Sequence, residues 1–330
     1  MSKHVKATVI GDGGWGTALA LVLQRNGHEV TVWGYDSSII EDIRKRGENH
    51  HFLPGVPLPD TMHWTADREE ATAGAEIFVI AVPSKFYAEV MSSFKGLLRP
   101  EHQLVSVSKG LRNGQRLSTL AETALAHPAV AALSGPSHAE EVAKGIPSAV
   151  VVACPETERA EILQQAFNGP GFRVYSSDDI IGVEIGGAMK NVIAIAAGVS
   201  DGIGYGDNTK AALVTRGLTE IVRLGTAVGG RPQTFYGLSG MGDLIVTCAS
   251  RHSRNRGFGE RLGQGESRDE IAASMRMVAE GVWNAETAWQ LAQELELELP
   301  ITHEVYKVLY EDKDPTLAVT DLLARDPRPE

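Results

Sequence analysis

Cysteine is nearly absent from this sequence of 330 residues, and its scarcity excludes two classes of structure. The two cysteines, Cys154 and Cys248, lie far apart and form no Cys-x-x-Cys pair. A disulfide scaffold and a cysteine-rich zinc site are therefore excluded, and the composition is typical of a reducing cytosol. The histidines form no His-x-His or His-x-x-x-His group, so we expect no bound metal.

Long apolar runs and an excess of basic residues are also missing. No segment approaches about 18 consecutive apolar residues, and glycines soon interrupt the apolar stretch near the N-terminus, so we expect neither a membrane span nor a secretory signal. Asp and Glu number 42 against 31 Lys and Arg, which gives a formal net charge of −11. A chain this acidic is a poor binder of nucleic acid or anionic membrane. These absences predict a soluble, cytoplasmic protein.

The apolar patterns divide the chain into two parts. The first part alternates β-branched runs such as Ala7–Ile10 and Glu29–Trp33 with helical periodicity, and its runs are continuously apolar. This pattern is expected when helices cover both faces of a parallel, doubly wound sheet. After Phe172–Tyr175, helical patterns dominate. We therefore expect an α/β domain over residues 1–180 and an all-helical domain over residues 181–330.

Glycines follow the first predicted strand in the spacing Gly-x-Gly-x-x-Gly. Gly11 permits a tight turn, Gly13 lets the backbone approach a pyrophosphate, and Gly16 lets helix and strand pack closely. The positive end of the helix then faces the phosphates. A glycine-rich turn without a ligand is the alternative. The position of the turn at the head of an alternating domain favours a Rossmann-like dinucleotide-binding domain.

The end of the second predicted strand leaves the choice between NADH and NADPH open. An NAD-specific site places an acidic side chain there, where it binds the ribose hydroxyls. Asp36 comes a residue or two late, and capping of the next helix is an equally good explanation for it. No arginine stands at Gly34 or Tyr35 to bind a 2′-phosphate.

A single charge, Lys190, interrupts the apolar helical pattern of residues 185–200. Apolar neighbours remove water from a lysine, and this lowers its pKa toward the range of about 7–8 that suits proton transfer. The alternative is a lysine at the edge of the helix whose ammonium reaches solvent. Because apolar residues flank the position on every side, we favour an acid–base role for Lys190.

Two downstream segments carry further polar candidates. Asp243 follows glycines and precedes an apolar run, so it either caps a helix or directs its carboxylate at Lys190. The stretch SRHSRNR at 250–256 places three arginines ahead of a helical pattern, which suits a phosphate or a carboxylate. A solvated charged turn is the alternative. Lys109 and the segment 134–137 follow predicted strands, at the edge where open α/β sheets bind ligands.

Motifs along nearly the whole chain complete the pattern. They include GDGGWGTALA at 11–20, SKGL at 108–111, GGAMKNVIAIAAGVSDG at 186–202 and SRNRGFGERLGQG at 253–265. In their order and spacing these segments resemble the bacterial NAD(P)-dependent glycerol-3-phosphate dehydrogenase family. The resemblance implies interconversion of dihydroxyacetone phosphate and sn-glycerol 3-phosphate for phospholipid synthesis, with NADPH or NADH and without a metal.

The resemblance also implies roles for individual residues. Lys190 is the implied proton donor and acceptor at the C2 oxygen of the substrate. The implied catalytic set is Lys190, Lys109, Asp243 and Thr247. Further substrate contacts are Asn191, Gly135 and Ser137, with Ser253, Arg254 and Asn255 at the phosphate. The implied dinucleotide contacts are Gly11, Gly13, Gly14, Trp15, Gly16, Tyr35, Lys109, Ala139, Arg254, Val278 and Glu280.

The sequence departs from the family's usual pattern at two of these contacts, Gly14 and Tyr35, and at Asp12, which lies between Gly11 and Gly13. Alanine is commoner at Asp12, serine at Gly14, and a basic residue or histidine at Tyr35. The last departure leaves the dinucleotide preference open, although the bacterial type usually accepts NADPH. Two other functions stay open, namely a β-hydroxyacid dehydrogenase, which shares both domains and a helix-borne lysine followed by asparagine, and a non-catalytic dinucleotide sensor. The resemblance is compatible with a homodimer.

Overall fold

The computed structural model of the protein describes residues 4–275 and 279–326. Its strands are β1 (Lys6–Ile10), β2 (Glu29–Trp33), β3 (His63–Thr65), β4 (Ile77–Ile80), β5 (Gln103–Ser106), β6 (Leu111–Arg112), β7 (Gln115–Arg116), β8 (Ala131–Ser134), β9 (Ser148–Ala153) and β10 (Phe172–Ser177). Its helices are α1 (Gly14–Arg25), α2 (Ser37–Arg46), α3 (Arg68–Thr72), α4 (Tyr87–Ser93), α5 (Leu117–Leu125), α6 (Ala139–Ala143), α7 (Thr157–Phe167), α8 (Ile180–Ile203), α9 (Asp207–Ala227), α10 (Pro232–Phe235), α11 (Asp243–Ala249), α12 (Arg254–Gly263), α13 (Arg268–Ser274), α14 (Glu280–Glu294), α15 (Pro300–Tyr310) and α16 (Pro315–Leu323).

The chain divides into two compact units. The first contains Met1–Lys109 and Gln115–Glu184, and the second contains Gly110–Gly114 and Ile185–Glu330. The division at Glu184 falls inside α8. The change of apolar pattern places the boundary between residues 176 and 184, and the domain bounds 1–180 and 181–330 stay a prediction. The short segment Gly110–Gly114 also belongs with the helical unit. A segment of this length is too short to carry an apolar pattern that would reveal its place.

The first unit is built on an eight-stranded sheet in the order β10-β9-β8-β5-β4-β1-β2-β3. The six strands from β8 to β3 run parallel to their neighbours. Their order is that of the Rossmann dinucleotide-binding sheet, so the predicted Rossmann-like α/β domain followed by a helical domain is confirmed. One pair differs from the expected parallel arrangement, because β9 runs antiparallel to β8. An apolar run predicts a buried strand but carries no information on its direction.

Alternate residues of the central strands enter two separate hydrophobic cores. Val9 of β1 and Val79 of β4 belong to the core that contains the apolar face of α1. Their neighbours Ile10 and Ile80 belong to the core on the opposite face, which contains Tyr87. Burial of each such side chain contributes about 1.5–3 kcal/mol before entropy is subtracted. Both faces need apolar residues, and this explains why the strand sequences do not alternate with polar ones.

Helix α8 is long and apolar enough to span a membrane, with a mean hydropathy of 1.6 over its most apolar window. The structure buries 94% of that window, so the chain itself covers the apolar surface of the helix. Part of this cover is α12, which approaches very closely. A Cβ atom added at Gly259 would lie 2.0 Å from the backbone oxygen of Ile195, and one added at Gly198 would lie 1.9 Å from that of Arg256.

Alanine substitutions within α12 test this close approach. Gly259→Ala is expected to lower the free energy of unfolding by about 1–3 kcal/mol, because the new methyl group meets rigid backbone of α8. Gly257→Ala is the matched control, since an added Cβ meets no atom of the described chain within 4 Å. It is expected to raise stability by about 0.5–1 kcal/mol through its better helix propensity. Equal urea midpoints for the two variants would contradict the packing argument.

Candidate active site

The glycine turn after β1 has the geometry that its spacing predicts. Gly11 has φ +117, a conformation that favours glycine, and a Cβ atom added at Gly16 would lie 2.3 Å from the Gly11 oxygen. Gly13 is the N-cap of α1 and has no side chain to cap the first turn. No atom of the described chain lies within 4 Å of a Cβ placed on Gly13. The first amides of α1 are therefore approachable by an anion.

Asn49 holds this turn in place and was not identified from the sequence. Its side chain is fully buried, and its amide donates to the Asp12 carbonyl at 2.7 Å and to the Thr17 hydroxyl at 2.9 Å. The loop that carries Asn49 also restricts Gly14, since a Cβ there would lie 2.6 Å from the Phe52 oxygen. A side chain at position 14 would therefore require the Phe52 carbonyl to move.

Two of the predicted dinucleotide contacts lie beside the turn. The Cβ of Ala139 is 3.9 Å from the Cβ position at Gly14. The indole N–H of Trp15 is buried and has no hydrogen-bond partner within the described part of the chain. A buried donor without a partner is uncommon because it costs about 1–3 kcal/mol, so this N–H is suited to a ligand.

Three predicted substrate residues meet at the carboxyl ends of β5 and β8, which are neighbours in the sheet. Lys109 Nζ donates to the Gly135 carbonyl at 3.0 Å, and the Ser137 hydroxyl donates to the same oxygen at 2.9 Å. Gly135 has φ +144, and a Cβ there would lie 2.9 Å from the Cα of Val150. The backbone at Gly135 therefore needs glycine, and its carbonyl fixes the direction of the Lys109 ammonium.

Lys190, Asp243 and Thr247 form one hydrogen-bonded group in the second unit. Lys190 Nζ donates to the Asp243 carboxylate at 2.5 Å and to the Thr247 hydroxyl at 2.8 Å. Asp243 and Thr247 lie one turn apart on α11, which places both on the same face. Asp243 therefore directs its carboxylate at Lys190, which is the second of the two alternatives that the sequence left open.

The lysine–aspartate pair is almost wholly removed from water. The side chains of Lys190 and Asp243 are 8% and 1% exposed. Removal of one partner from such a pair costs about 3–5 kcal/mol, because an unpaired charge is left buried. The neighbouring thiol of Cys248 is buried too, and burial raises its pKa to about 12. Cys248 is therefore a protonated core residue at neutral pH, and Cys154 is also a buried core residue.

A chain of amides connects the three segments around Lys190. Asn255 donates from Nδ2 to the Asn191 side-chain oxygen at 2.9 Å, and its own oxygen accepts from the Gly281 N–H at 2.8 Å. Asn191 follows Lys190 on α8, and Gly281 follows Glu280 at the start of α14. The carbonyl oxygen and one N–H of the Asn255 side chain are thus used inside the protein, although the resemblance assigns Asn255 to the phosphate.

The N-terminus of α12 carries the predicted phosphate-binding residues. The Ser253 hydroxyl caps the helix by accepting from the Arg256 N–H at 3.2 Å. Arg254, the first residue of the helix, is exposed. The Arg256 guanidinium contacts the Asp201 carboxylate at 2.6 Å, so its charge is already compensated. The role of Arg254 as the phosphate contact stays a prediction.

Asn284 is a second residue that was not identified from the sequence. It is fully buried on α14, donates to the Ala188 carbonyl at 3.1 Å and accepts from the Leu111 N–H at 3.1 Å. It thereby joins the Lys190 helix to the segment that follows Lys109. One buried polar residue at the beginning of an apolar helical pattern is the signal that could have revealed it.

The remaining candidates are more dispersed. Tyr35 is 81% exposed, with its ring 6.5 Å from that of Trp33. Asp36 caps α2 by accepting from the Ser38 N–H at 2.8 Å. Val278 lies outside the described residues. Within residues 4–275 and 279–326, no group of three or more His, Cys, Asp or Glu side chains could hold a metal ion.

The chain combines a Rossmann-like sheet and an open glycine turn with a helical unit that contains a buried lysine–aspartate pair. This is the arrangement of a dinucleotide-dependent oxidoreductase. Two family models match almost the whole chain. The model for the N-terminus of NAD-dependent glycerol-3-phosphate dehydrogenase matches residues 6–160, and the model for its C-terminus matches residues 179–320. The chain therefore belongs to the NAD-dependent glycerol-3-phosphate dehydrogenase family.

Individual relatives agree with this assignment. The chain is 49% identical over 326 residues to the glycerol-3-phosphate dehydrogenase [NAD(P)+] of Fusobacterium nucleatum, covering 98% of this chain and 97% of the relative. It is 48% identical to that of Bacillus pumilus, covering 97% and 94%. The crystal structure of glycerol-3-phosphate dehydrogenase from Coxiella burnetii has a TM-score of 0.94 at 40% identity and covers 98% of this chain and 99% of its own. The resemblance stated from the sequence is confirmed, and the comparisons favour it over a β-hydroxyacid dehydrogenase.

Proposed function

We propose that this protein interconverts dihydroxyacetone phosphate and sn-glycerol 3-phosphate with NADH or NADPH, and that Lys190 is the proton donor. The observation that carries the proposal is the buried ammonium of Lys190, which donates to Asp243 and Thr247 and is the one charge within residues 185–200 of α8. A positive charge held in a site with little water interacts strongly with a negative charge that develops on a substrate. Reduction of a carbonyl produces such a charge.

The chemistry divides between the cofactor and the protein. A bound nicotinamide supplies the hydride in one direction and accepts it in the other. In reduction, the Lys190 ammonium polarises the C2 carbonyl and then gives its proton to the alkoxide oxygen, a contribution of about 10²–10⁴-fold. Asp243 and Thr247 hold Nζ in one orientation through their hydrogen bonds. In the oxidation of glycerol 3-phosphate, neutral Lys190 removes the same proton.

The phosphate of the substrate suits the N-terminus of α12. Arg254 supplies a planar donor fork, and the first amides of the helix add oriented N–H groups. Since the phosphate is remote from C2, this binding energy is available for orienting the ketone. The amides of Asn255 and Asn191 support this arrangement, because they connect the Arg254 helix to the Lys190 helix.

The glycine turn suits the pyrophosphate of the dinucleotide. Three features fit this group, namely the uncapped first turn of α1, the open space at Gly13 and the unpartnered Trp15 N–H. The other residues that we assign to the dinucleotide are Gly11, Gly14, Gly16, Tyr35, Lys109, Ala139, Arg254, Val278 and Glu280.

Gly13→Val tests the role of the turn. The backbone at Gly13 has φ −62 and ψ 168, which a valine adopts readily, and the added side chain meets no described atom within 4 Å at its Cβ. We expect an unchanged melting temperature, but at least about tenfold weaker NADH binding by fluorescence titration, because the side chain fills the space next to the pyrophosphate. An unchanged titration would show that the turn is only structural.

A substrate panel tests the proposed function. NADH and NADPH oxidation are followed with dihydroxyacetone phosphate, unphosphorylated dihydroxyacetone and 3-oxoacids, and the reverse reaction with glycerol 3-phosphate and 3-hydroxyacids. We expect much faster turnover with dihydroxyacetone phosphate and glycerol 3-phosphate than with any of the other substrates. Preference for the hydroxyacids would identify a β-hydroxyacid dehydrogenase. Dinucleotide binding without turnover would identify a sensor.

We place this reaction in the cytoplasm, where its product enters phospholipid synthesis. The acidic charge and the two buried, unpaired cysteines support a reducing compartment. We expect the protein to bind neither nucleic acid nor membrane. The homodimer that is compatible with the sequence is tested by light scattering of the purified protein.

A further inference from the structure

The residue after β2 is the position at which NAD-specific Rossmann domains carry an acidic side chain for the ribose hydroxyls. In this chain it is Gly34, which has no side chain. A carboxylate nevertheless lies there. A Cβ atom placed on Gly34 would be 2.6 Å from Ile40 Cδ1, 2.8 Å from Asp12 Oδ2 and 2.9 Å from Asp12 Cγ, so the Asp12 carboxylate and the end of the Ile40 side chain fill the space beside Gly34. Asp12 belongs to the glycine turn, between Gly11 and Gly13.

The neighbouring side chains offer no substitute for Asp12. The Asp36 carboxylate accepts from both the N–H and the hydroxyl of Ser38, at 2.8 Å and 2.6 Å, and is committed to capping α2. Tyr35 is exposed and has no carboxylate. The backbone of Asp12, in contrast, is fixed in place, because the Asn49 side-chain amide donates to the Asp12 carbonyl at 2.7 Å.

We propose that Asp12 sets the dinucleotide selectivity of this protein in favour of NADH, by supplying from the glycine turn the carboxylate that other NAD-specific sites carry at the end of the second strand. The inference rests on the proposed function, because it concerns the dinucleotide of that site. An ionised carboxylate accepts hydrogen bonds from the ribose hydroxyls, whereas a 2′-phosphate adds negative charge beside it.

The charges around Asp12 reinforce this selectivity. The charged groups that act on it are the Asp36 carboxylate and His51, and burial together with Asp36 raises the pKa of Asp12. The Asp36 carboxylate is a second negative charge near this position, and a 2′-phosphate would meet both carboxylates.

Calorimetry with two ligand fragments tests the proposal without relying on turnover. ADP-ribose and 2′-phospho-ADP-ribose differ only in the phosphate. We expect wild type to bind ADP-ribose at least about tenfold more tightly, a ratio that corresponds to 1.4 kcal/mol. In Asp12→Asn and Asp12→Ala the ratio should fall at least about fivefold, since the negative charge is gone. The ratio of the KM for NADPH to the KM for NADH should fall in the same two variants.

Glu41→Gln is the matched control. It removes an exposed carboxylate from the nearby helix α2. It should leave the binding ratio of wild type unchanged. Tighter binding of the 2′-phosphate by wild type, or the same ratio in wild type and both Asp12 variants, would overturn the proposal while leaving the dehydrogenase function intact. If wild type bound neither fragment, the dinucleotide site itself would be wrong.

Discussion

Lys190→Met is expected to lower kcat for dihydroxyacetone phosphate reduction by at least about 100-fold, because the variant has no proton to give to the C2 oxygen. The affinity for NADH should stay close to that of wild type, since the glycine turn that we assign to the dinucleotide belongs to the first unit. Steady-state kinetics and a fluorescence titration of NADH measure the two effects separately. A fall in kcat of less than tenfold would contradict the general-acid role.

Stability has to be separated from catalysis in this test. Lys190→Met leaves Asp243 buried and unpaired, which should cost about 3–5 kcal/mol of stability. The double variant Lys190→Met/Asp243→Leu replaces the pair with apolar groups and should recover most of that loss without recovering turnover. Lys144→Met, at an exposed lysine, is the control for loss of a positive charge and should behave as wild type. Recovery of activity in the double variant would contradict the assignment.

Arg254→Ala is expected to raise KM for dihydroxyacetone phosphate by roughly 30-fold or more, which corresponds to a loss of about 2 kcal/mol for a charge-assisted contact. Arg254→Lys should recover only part of the affinity, because an ammonium lacks the planar fork of a guanidinium. Both values come from initial rates over a range of substrate concentrations.

Unphosphorylated dihydroxyacetone distinguishes phosphate binding from general damage. It has no phosphate to lose, so at saturating dinucleotide wild type and Arg254→Ala should use it about equally poorly. Arg251→Ala is the matched control, at another exposed arginine of the same segment, and should leave KM for the phosphorylated substrate nearly unchanged. If Arg254→Ala changed the kinetics of both substrates by the same factor, the anion would have to bind elsewhere.

Features encoded by local spacing could be predicted from the sequence. The glycine turn is recognisable because Gly11, Gly13 and Gly16 follow a strand within a few residues. Lys190 is recognisable because it is the one charge in the apolar pattern of residues 185–200. The sequence also limited Asp243 to two alternatives. Only the fold could decide between them, since the residue that Asp243 contacts lies 53 positions away.

Contacts between distant segments could not be predicted. Asn49 reaches Asp12 across 37 positions, and Asn284 reaches Leu111 across 173. Neither asparagine belongs to a local pattern that would reveal its partner. The carboxylate at the end of β2 shows the same limitation, because the acidic residue next in sequence, Asp36, caps a helix while Asp12 comes from another segment. The antiparallel direction of β9 likewise depends on tertiary packing rather than on its apolar run.

The most direct test of the central claim is the steady-state oxidation of NADH and of NADPH by the purified protein with dihydroxyacetone phosphate as the acceptor. We expect turnover that depends on the phosphorylated ketone, forms sn-glycerol 3-phosphate in a one-to-one ratio with the oxidised dinucleotide, and disappears in Lys190→Met. Absence of turnover with both dinucleotides, from a folded protein that binds them, would contradict it.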